Sequence, residues 1–282
     1  MGGRVRMNHG TPERKRLRLL SYNIQAGIAS SKFRHYFTHS WKHLLPHPER
    51  LDNLDRMSGI LGDFDIVGLQ EADGGSRRSS FINLTEYLAL QASFPHWYDQ
   101  TNRTLGSFAR HSLGLLSRVR PSVVREIKLP GAIPGRGALM ARFGHGDNAL
   151  MLAIAHLALG RRSRLRQLGH LAELVSDYRH VILMGDFNCG TQCLEMNWFL
   201  DRARLREPVH GLHTFPSWRP QRSLDHILVS PTLEVARVHV VNHAVSDHLP
   251  IAMEVLLPSE IDMPREQPSA SDVLPLAAGA GF

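Results

Sequence analysis

Cysteine is scarce in this chain. Its 282 residues include two, Cys189 and Cys193, which are too few for a disulfide scaffold and fewer ligands than a structural zinc site needs. No apolar run approaches the ~20 residues that a helix needs to cross a bilayer. Residues 1–18 are basic and polar, and they lack the apolar stretch of ~7–15 residues found in secretory signals. We therefore expect a cytoplasmic protein without an integral membrane segment.

Lysine is also rare, and 29 of the 33 basic residues are arginine. Against 26 acidic residues, they give a formal net charge of +7. Positive charge favours anionic partners, and arginine presents a planar fork of donors that suits phosphate oxygens. Nucleic acid, phospholipid and small phosphates all fit this description, and a codon bias toward arginine would explain the count equally well. The charge therefore does not select a class of partner.

The chain divides into three regions by composition. Residues 1–16 are predicted to be a flexible basic arm, and 258–282, rich in proline and ending in small residues, a disordered tail. Residues 17–257 are predicted to form one domain. No glycine-rich fingerprint follows a strand in this domain, which argues against a dinucleotide-binding fold.

Short apolar runs alternate with helical patterns across the domain. The candidate strands are 17–24, 65–69, 113–116, 123–129, 138–143, 149–156, 181–184, 224–229, 235–241 and 251–256, and the candidate helices are 49–61, 81–92, 162–178 and 193–203. So many strands with so few helices predict an α/β fold in which two sheets pack together and helices cover them outside.

Polar side chains recur where the apolar strands begin or end. They are Asn23, Glu71, His156, Asp186, Asn188, Asp225, Asp247 and His248. Strand ends at one edge of a sheet can converge, and rigid elements hold reactive groups accurately. The carboxylates and amides among them are hard oxygen ligands, and the histidines titrate near neutral pH. This set predicts a Mg²⁺ or Mn²⁺ site with room for a substrate phosphate.

In their order along the chain, these fragments resemble the endonuclease/exonuclease/phosphatase superfamily, which includes deoxyribonuclease I, and in particular its short bacterial members. The matching segments are Ser21-Tyr22-Asn23-Ile24-Gln25, Gln70-Glu71, His156-Leu157, Gly185-Asp186-Phe187-Asn188, Leu224-Asp225-His226-Ile227-Leu228-Val229 and Ser246-Asp247-His248-Leu249-Pro250-Ile251. The resemblance spans roughly residues 17–256. It implies a four-layer α-β-β-α sandwich of two mixed β-sheets flanked by helices, and a metal-dependent phosphoester hydrolase.

The resemblance also implies a role for each matching residue. Glu71 would be the principal metal ligand, with Asn23 and Asp247 lining the metal site. Asp186 and Asn188 would position the attacking water and a non-bridging phosphate oxygen.

Two histidines would share the proton chemistry. His248 would contact the scissile phosphate, oriented by Asp225, and His156 is similar to a second catalytic histidine that is a candidate general acid. Opposite roles require that their pKa values differ, and the sequence leaves open which histidine is the acid.

Arginines near these segments are candidate substrate contacts. Arg161 and Arg162 begin the helix that follows His156, although a solvated helix face is an equal alternative. Arg118 ends a Leu-Leu-Ser-Arg run that relatives often share, but the position two residues before that run, frequently asparagine in relatives, is Leu113 here. The segment 214–220 is similar to one in short bacterial members and predicts a loop at the rim of the site.

Residues 30–48 directly follow the strand that ends at Asn23. They contain Phe33, Tyr36, Phe37 and Trp41 among basic side chains. Such a segment could stack bases, contact a membrane peripherally, or pack as an ordinary insertion.

Together these features predict a Mg²⁺- or Mn²⁺-dependent phosphodiester hydrolase acting on nucleic acid, DNA or RNA, as the first choice. A phospholipid or inositol-phosphate phosphodiesterase or phosphatase of the same superfamily is the alternative, and an inactive phosphate-binding protein is the third. The sequence leaves open the mode of cleavage, the number of metal ions and the oligomeric state.

Overall fold

The computed structural model describes residues 15–27, 49–131, 135–261 and 263. The segment 30–48, with its predicted membrane contact, lies outside these ranges, as do most of the predicted arm and residues 264–282. Ile261 and Met263, which fall within the predicted tail, are buried against the core. The packed domain therefore extends at least to Met263. No helix within the described ranges is long and apolar enough to span a bilayer.

Strands dominate the described residues. They are β1 (Arg16–Asn23), β2 (Ile66–Asp73), β3 (His96–Leu105), β4 (Ala109–Ser117), β5 (Val123–Lys128), β6 (Gly137–Phe143), β7 (Leu150–His156), β8 (His180–Asp186), β9 (Asp225–Val229), β10 (Glu234–Val240) and β11 (Ile251–Leu256). The α-helices are α1 (Glu49–Leu61), α2 (Leu84–Gln91), α3 (Arg161–Val175) and α4 (Leu194–Ala203).

The strands form two mixed sheets. One has six strands in the order β10-β11-β1-β2-β4-β3, and the other has five in the order β5-β6-β7-β8-β9. The pairs β1–β2 and β7–β8 are parallel, and the other neighbours are antiparallel.

Both faces of each sheet are covered. In β1, Leu17 and Leu19 lie in the core between the sheets, whereas Leu20 and Tyr22 pack with α1 and α2 outside. Successive residues of a strand point to opposite faces, so a strand covered on both sides is apolar along its length. Helices α3 and α4 cover the outer face of the five-stranded sheet in the same way. The predicted four-layer α-β-β-α sandwich is confirmed.

Strand β3 is absent from the strands predicted above. Apart from Gln100, its side chains are exposed or only half-buried, and it lies at the edge of the six-stranded sheet with β4 as its one partner there. An edge strand of this kind carries polar residues, so it has no apolar run from which it could be predicted. Helix α2 also begins three residues later than predicted, because Asn83 Oδ1 accepts the backbone N–H groups of Thr85 and Glu86 and caps it.

The strand ends that carry polar residues meet at one edge of the sandwich. Parallel β1 and β2 run toward this edge and bring Asn23 and Glu71 to it. Parallel β7 and β8 end there with His156 and Asp186 opposite each other, and Asp225, which begins β9, pairs with Asp186. The topology therefore assembles residues that are remote in the sequence.

The substitution Gly185→Ala tests the close approach of β7 and β8 at this edge. Gly185 has a φ of +144°, and an added Cβ would lie 1.9 Å from the carbonyl oxygen of Ala155. We expect a loss of about 3 kcal/mol in the free energy of unfolding, as for a strained backbone position. Gly59→Ala in α1, where the added Cβ meets nothing within 4 Å, should gain up to about 1 kcal/mol. Urea titration measures the free energy of unfolding of both variants. An equal change in the two variants would contradict the close approach of β7 and β8.

Candidate active site

Asp186 lies at the centre of the polar cluster. Its Oδ2 accepts a hydrogen bond from Asn23 Nδ2 at 3.1 Å, and its Oδ1 accepts one from the backbone N–H of Asn188 at 2.9 Å. The Nε2 atoms of His156 and His248 lie 3.5 and 3.9 Å from Oδ2. Burial raises the pKa of Asp186 to about 7. Four predicted site residues therefore surround one buried carboxyl group.

Further carboxylates face the same place. Burial raises the pKa of Asp247 to about 6, and the negative charge of Glu71 adds to this rise. Glu71 lies at a bulge of β2 with a φ of +54°, and its side chain remains 37% exposed. Besides burial, the negative charge of Glu71 raises the pKa of both Asp186 and Asp247, and a cation near these carboxylates would offset that effect. The three carboxylates line one cavity, and Mg²⁺ and Mn²⁺ prefer oxygen ligands. Glu71 and Asp247, the two predicted to lie at the metal, therefore fit a divalent ion.

Asn23 was predicted to line the metal site as well. Its Nδ2 donates to Asp186, whereas its Oδ1 accepts the backbone N–H of Gln25 at 3.2 Å. Asn23 as placed here therefore orients Asp186 through its amide N–H₂ group, while its oxygen keeps one free lone pair. Its place at the metal site stays a prediction.

His248 is held by Asp225, as predicted from the resemblance. Its Nδ1 lies 2.8 Å from Asp225 Oδ2, which also accepts Thr214 Oγ1 at 2.5 Å. Burial lowers the pKa of His248, but the negative charges of Asp225, Asp186 and Asp247 raise it by a larger amount. The pKa therefore lies well above its ordinary value. His248 is therefore a cation at neutral pH.

His156 is held by Arg136, a contact that the sequence analysis missed. Arg136 Nη1 lies 2.5 Å from His156 Nε2. Because a guanidinium group only donates, Nε2 accepts this hydrogen bond and carries no proton. Burial and the positive charge of Arg136 lower the pKa of His156 well below its ordinary value. As arranged, His156 is a neutral acceptor, and its role as general acid stays a prediction.

The cluster opens to solvent through two connected cavities. We name one the aromatic lobe, about 430 Å³, whose outer wall is formed by Phe215, Trp218 and Arg222. The arginine lobe, about 410 Å³, is lined on its outer side by Asn102, Arg103, His111, Ser112 and Leu113. Glu71, Arg136 and His156 line both lobes. The carboxylates and histidines therefore lie where the two lobes meet.

Comparisons with known proteins bear on this geometry. The family model described as Endonuclease/Exonuclease/phosphatase family matches residues 20–248. The chain belongs to this family.

Several solved structures share the fold of this family member. An endonuclease/exonuclease/phosphatase from Beutenbergia cavernae is 19% identical with a TM-score of 0.65, over 86% of this chain and 72% of that one. A mannosyl-6-phosphatase from Bacteroides thetaiotaomicron is 17% identical with a TM-score of 0.60, over 85% of this chain and 99% of that one. The human nocturnin catalytic domain, solved with bound sulfate, is 16% identical with a TM-score of 0.59, over 86% of this chain and 94% of that one. A search of curated proteins finds no match. At these identities, the likeness is one of fold.

Arg118 does not reach the candidate active site of this chain. Ser117 pairs with Ile66 at the start of β2, whereas Glu71 lies near the other end of that strand. The Arg118 guanidinium donates to the carbonyl oxygens of residues 62, 64, 92 and 93, and its Cζ lies 4.6 Å from the ring centroid of Phe94. Arg118 therefore ties α1 and α2 to the sheet, and its predicted substrate contact is corrected.

Arg161 and Arg162 lie near the arginine lobe without lining it in the described structure. Arg161 Nε is 3.3 Å from Glu195 Oε2 with its side chain 66% exposed, and Arg162 is exposed. Gly160 and Ser163 from the same turn line the lobe instead. Substrate binding by these arginines stays a prediction.

The loop that carries Asn188 is anchored by a buried ion pair. His226, which is fully buried, places Nδ1 2.6 Å from Glu207 Oε1 and Nε2 2.8 Å from the carbonyl oxygen of Cys189. Both partners only accept, so both ring nitrogens donate and His226 is an imidazolium ion. Glu207 also accepts Thr191 Oγ1 at 2.7 Å. The position of Asn188 thus depends on a charge pair behind it.

We expect Glu207→Gln to lower the free energy of unfolding by an amount that depends on pH. Burial lowers the pKa of His226, but Glu207 raises it above 6.5; burial raises the pKa of Glu207, but His226 lowers it below 4.5. The contribution of His226 to the free energy of unfolding is complete below pH 6.5 and is lost as pH rises through its raised pKa. The contribution of Glu207 is complete above pH 4.5 and is lost as pH falls through its lowered pKa. The variant should therefore lose about 3 kcal/mol, most of all between these two pH values.

Urea titrations from about pH 4 to pH 9 measure this difference. The control is His210→Gln, because His210 contacts the same carboxylate from an exposed position and should cost less than about 1 kcal/mol. A deficit that does not change with pH would contradict the buried charge pair.

Arg118→Met separates a structural role from a substrate contact. Loss of its hydrogen bonds to carbonyl oxygens should lower the free energy of unfolding by about 2 kcal/mol. Phosphoesterase kcat/KM of the folded variant should stay within about twofold of the parent, since Arg118 lies at the opposite end of the sheet. An unchanged free energy of unfolding together with a large rise in KM would contradict the structural role and support the predicted substrate contact.

Proposed function

We propose that this chain is a divalent-metal-dependent phosphodiester hydrolase that acts on nucleic acid. The observation that carries the proposal is the convergence of Glu71, Asp186, Asp247 and the His248–Asp225 pair at the junction of two open lobes. A phosphate at this junction has space for a substituent on either side, which suits a diester.

Two carboxylates would hold the metal ion. Glu71 and Asp247 supply oxygen ligands, and Glu71 is the more exposed to solvent. When bound, Mg²⁺ or Mn²⁺ supplies Lewis-acid polarisation of a phosphate oxygen and lowers the pKa of a coordinated water.

The protein's own groups would orient the reactants and neutralise charge. Asp186 is fixed by Asn23 and Asn188, so it can accept a proton from an attacking water in a defined direction. His248, kept positive by Asp225, and Arg136 place two positive charges near the phosphate, where negative charge develops in the transition state.

Nucleic acid suits the walls of the lobes. Phe215 and Trp218, from the loop predicted to form the rim, give this lobe an aromatic wall that a base could contact. The Phe215 ring itself packs against His248 at 4.9 Å between centroids, and Arg222 lies over it at 5.8 Å. The arginine lobe and the net charge of +7 favour a polyanion. The aromatic segment 30–48, on which the lipid alternative depended, lies outside the described residues.

A hydrolysis panel with Asp186→Asn tests the proposal. The substrates are single-stranded DNA, duplex DNA, RNA, phosphatidylinositol phosphates and sphingomyelin, each with Mg²⁺ or with EDTA. We expect cleavage of DNA or RNA only with Mg²⁺, and a loss of at least about a hundredfold in Asp186→Asn because the water is no longer oriented. Asp63→Asn, at an exposed position, is the matched control and should retain activity.

Other results would contradict the proposal in specific ways. Turnover of lipid or inositol phosphate alone would assign the chain to that substrate class. Phosphate binding without any turnover would indicate an inactive binding protein, and full activity in Asp186→Asn would mean that the site is assigned wrongly.

A further inference from the structure

The arginine lobe contains positive charge that neither holds a metal ion nor orients the attacking water. We propose that this lobe binds a second phosphate group of the substrate, next to the phosphoester that is hydrolysed. The inference rests on the proposed function, because it assigns a further part of the same substrate. It follows from the position of the lobe, its arginines and its unpartnered polar atoms.

The lobe is continuous with the reaction site. Glu71, Arg136 and His156 form its inner end and also line the aromatic lobe. A group in the arginine lobe can therefore be covalently attached to a phosphate at the carboxylate cluster. Its volume of about 410 Å³ is in the range of small-ligand sites.

Arg103 supplies a cation at the outer wall. Its aliphatic stem lies against Gly135, where an added Cβ would be 2.8 Å from Arg103 Cβ and 2.9 Å from Cδ. Gly135 has a φ of +111°, which also favours glycine, so this residue permits the approach. Among the described residues, no carboxylate forms an ion pair with Arg103. An arginine at a cavity wall without an acidic partner is available to bind phosphate.

Arg136 adds a second positive charge to the same cavity. Burial lowers the pKa of Arg136, the negative charges of Glu71 and Asp186 raise it, and the positive charge of Arg103 lowers it. Two guanidinium groups that line one cavity repel each other, and an anion between them would remove that repulsion. Arg136 thus interacts with both the scissile phosphate and its neighbour in this arrangement.

The remaining wall offers polar groups that the described protein does not use. Ser112 is 2% exposed and lines the lobe, and its Oγ has no hydrogen-bond partner within the described ranges. Asn102 Oδ1 also lacks a partner there, but it is an acceptor, so only the amide N–H₂ group of Asn102 could donate to a phosphate. Burial lowers the pKa of His111 to about 4, so its neutral ring adds one N–H donor without charge at neutral pH. Unpartnered buried polar groups are costly, and a phosphate oxygen would accept from the hydroxyl and ring donors.

Equilibrium binding to short phosphates tests the lobe without turnover. Isothermal titration in EDTA would compare TpT, which has one phosphate, with pTpT and TpTp, which have two. Inositol 1-phosphate and inositol 1,4-bisphosphate form a second pair. The variants are Arg103→Gln and Arg120→Gln, the latter removing an exposed charge beyond the other end of β4.

We expect the second phosphate to increase affinity about tenfold in the parent protein and in Arg120→Gln, and about twofold in Arg103→Gln. A gain with the dinucleotides supports a nucleic-acid substrate, and a gain confined to the inositol pair supports the second-phosphate site with an inositol polyphosphate as its source. No gain in the parent, or an equal gain in Arg103→Gln, overturns the inference.

A separate assay keeps the two proposals distinguishable. Bis(p-nitrophenyl) phosphate is a diester with one phosphate, so its Mg²⁺-dependent hydrolysis by the parent protein reports on the reaction site alone. A parent protein that binds the second phosphate but fails to hydrolyse any diester would contradict the proposed function and retain the arginine lobe as an anion site.

Discussion

Buried negative charge at one edge of the sandwich is the constraint on which the rest of the structure depends. Asp186 and Asp247 are nearly inaccessible to water, and an uncompensated carboxylate in such a place is strongly unfavourable. Hydrogen bonds from Asn23 and Asn188 satisfy one carboxyl, and the His248 cation lies beside both. The donors and positive charge that stabilise the folded site are also those that a phosphoester transition state requires.

Each of these groups is itself held by partners farther from the cluster. His248 depends on Asp225, which Thr214 also contacts, and the Asn188 loop depends on the buried pair of His226 and Glu207. Asp225 and His226 begin β9, whereas Thr214 and Glu207 lie in the connection between α4 and β9 and bind them from there. The reactive groups are therefore positioned by the packed sheet together with this connection. Stability of the sandwich and geometry of the site are therefore linked.

Chemistry and substrate choice are carried by different parts of the fold. The carboxylates and histidines lie at or close to strand ends in the two central sheets. The lobes are walled by edge strand β3, the neighbouring part of β4, the residues before β6 and the segment 214–220. Edge and connecting segments can change without disturbing the core, so one fold can serve different phosphoesters. Under the proposed function, the substrate class of this chain would depend on the lobes more than on the carboxylate cluster.

The sequence by itself determined the layered fold and the chemical types at the reaction site, because apolar periodicity and the residues at strand ends are local features. It did not reveal β3, whose polar edge position leaves no apolar pattern, or select Arg136 from 29 arginines. Arg118 followed a familiar motif, yet strand direction placed it at the far end of the sheet. The opposite protonation of His156 and His248 was decided by Arg136 and Asp225, since a pKa depends on burial and on charges brought close only by tertiary folding.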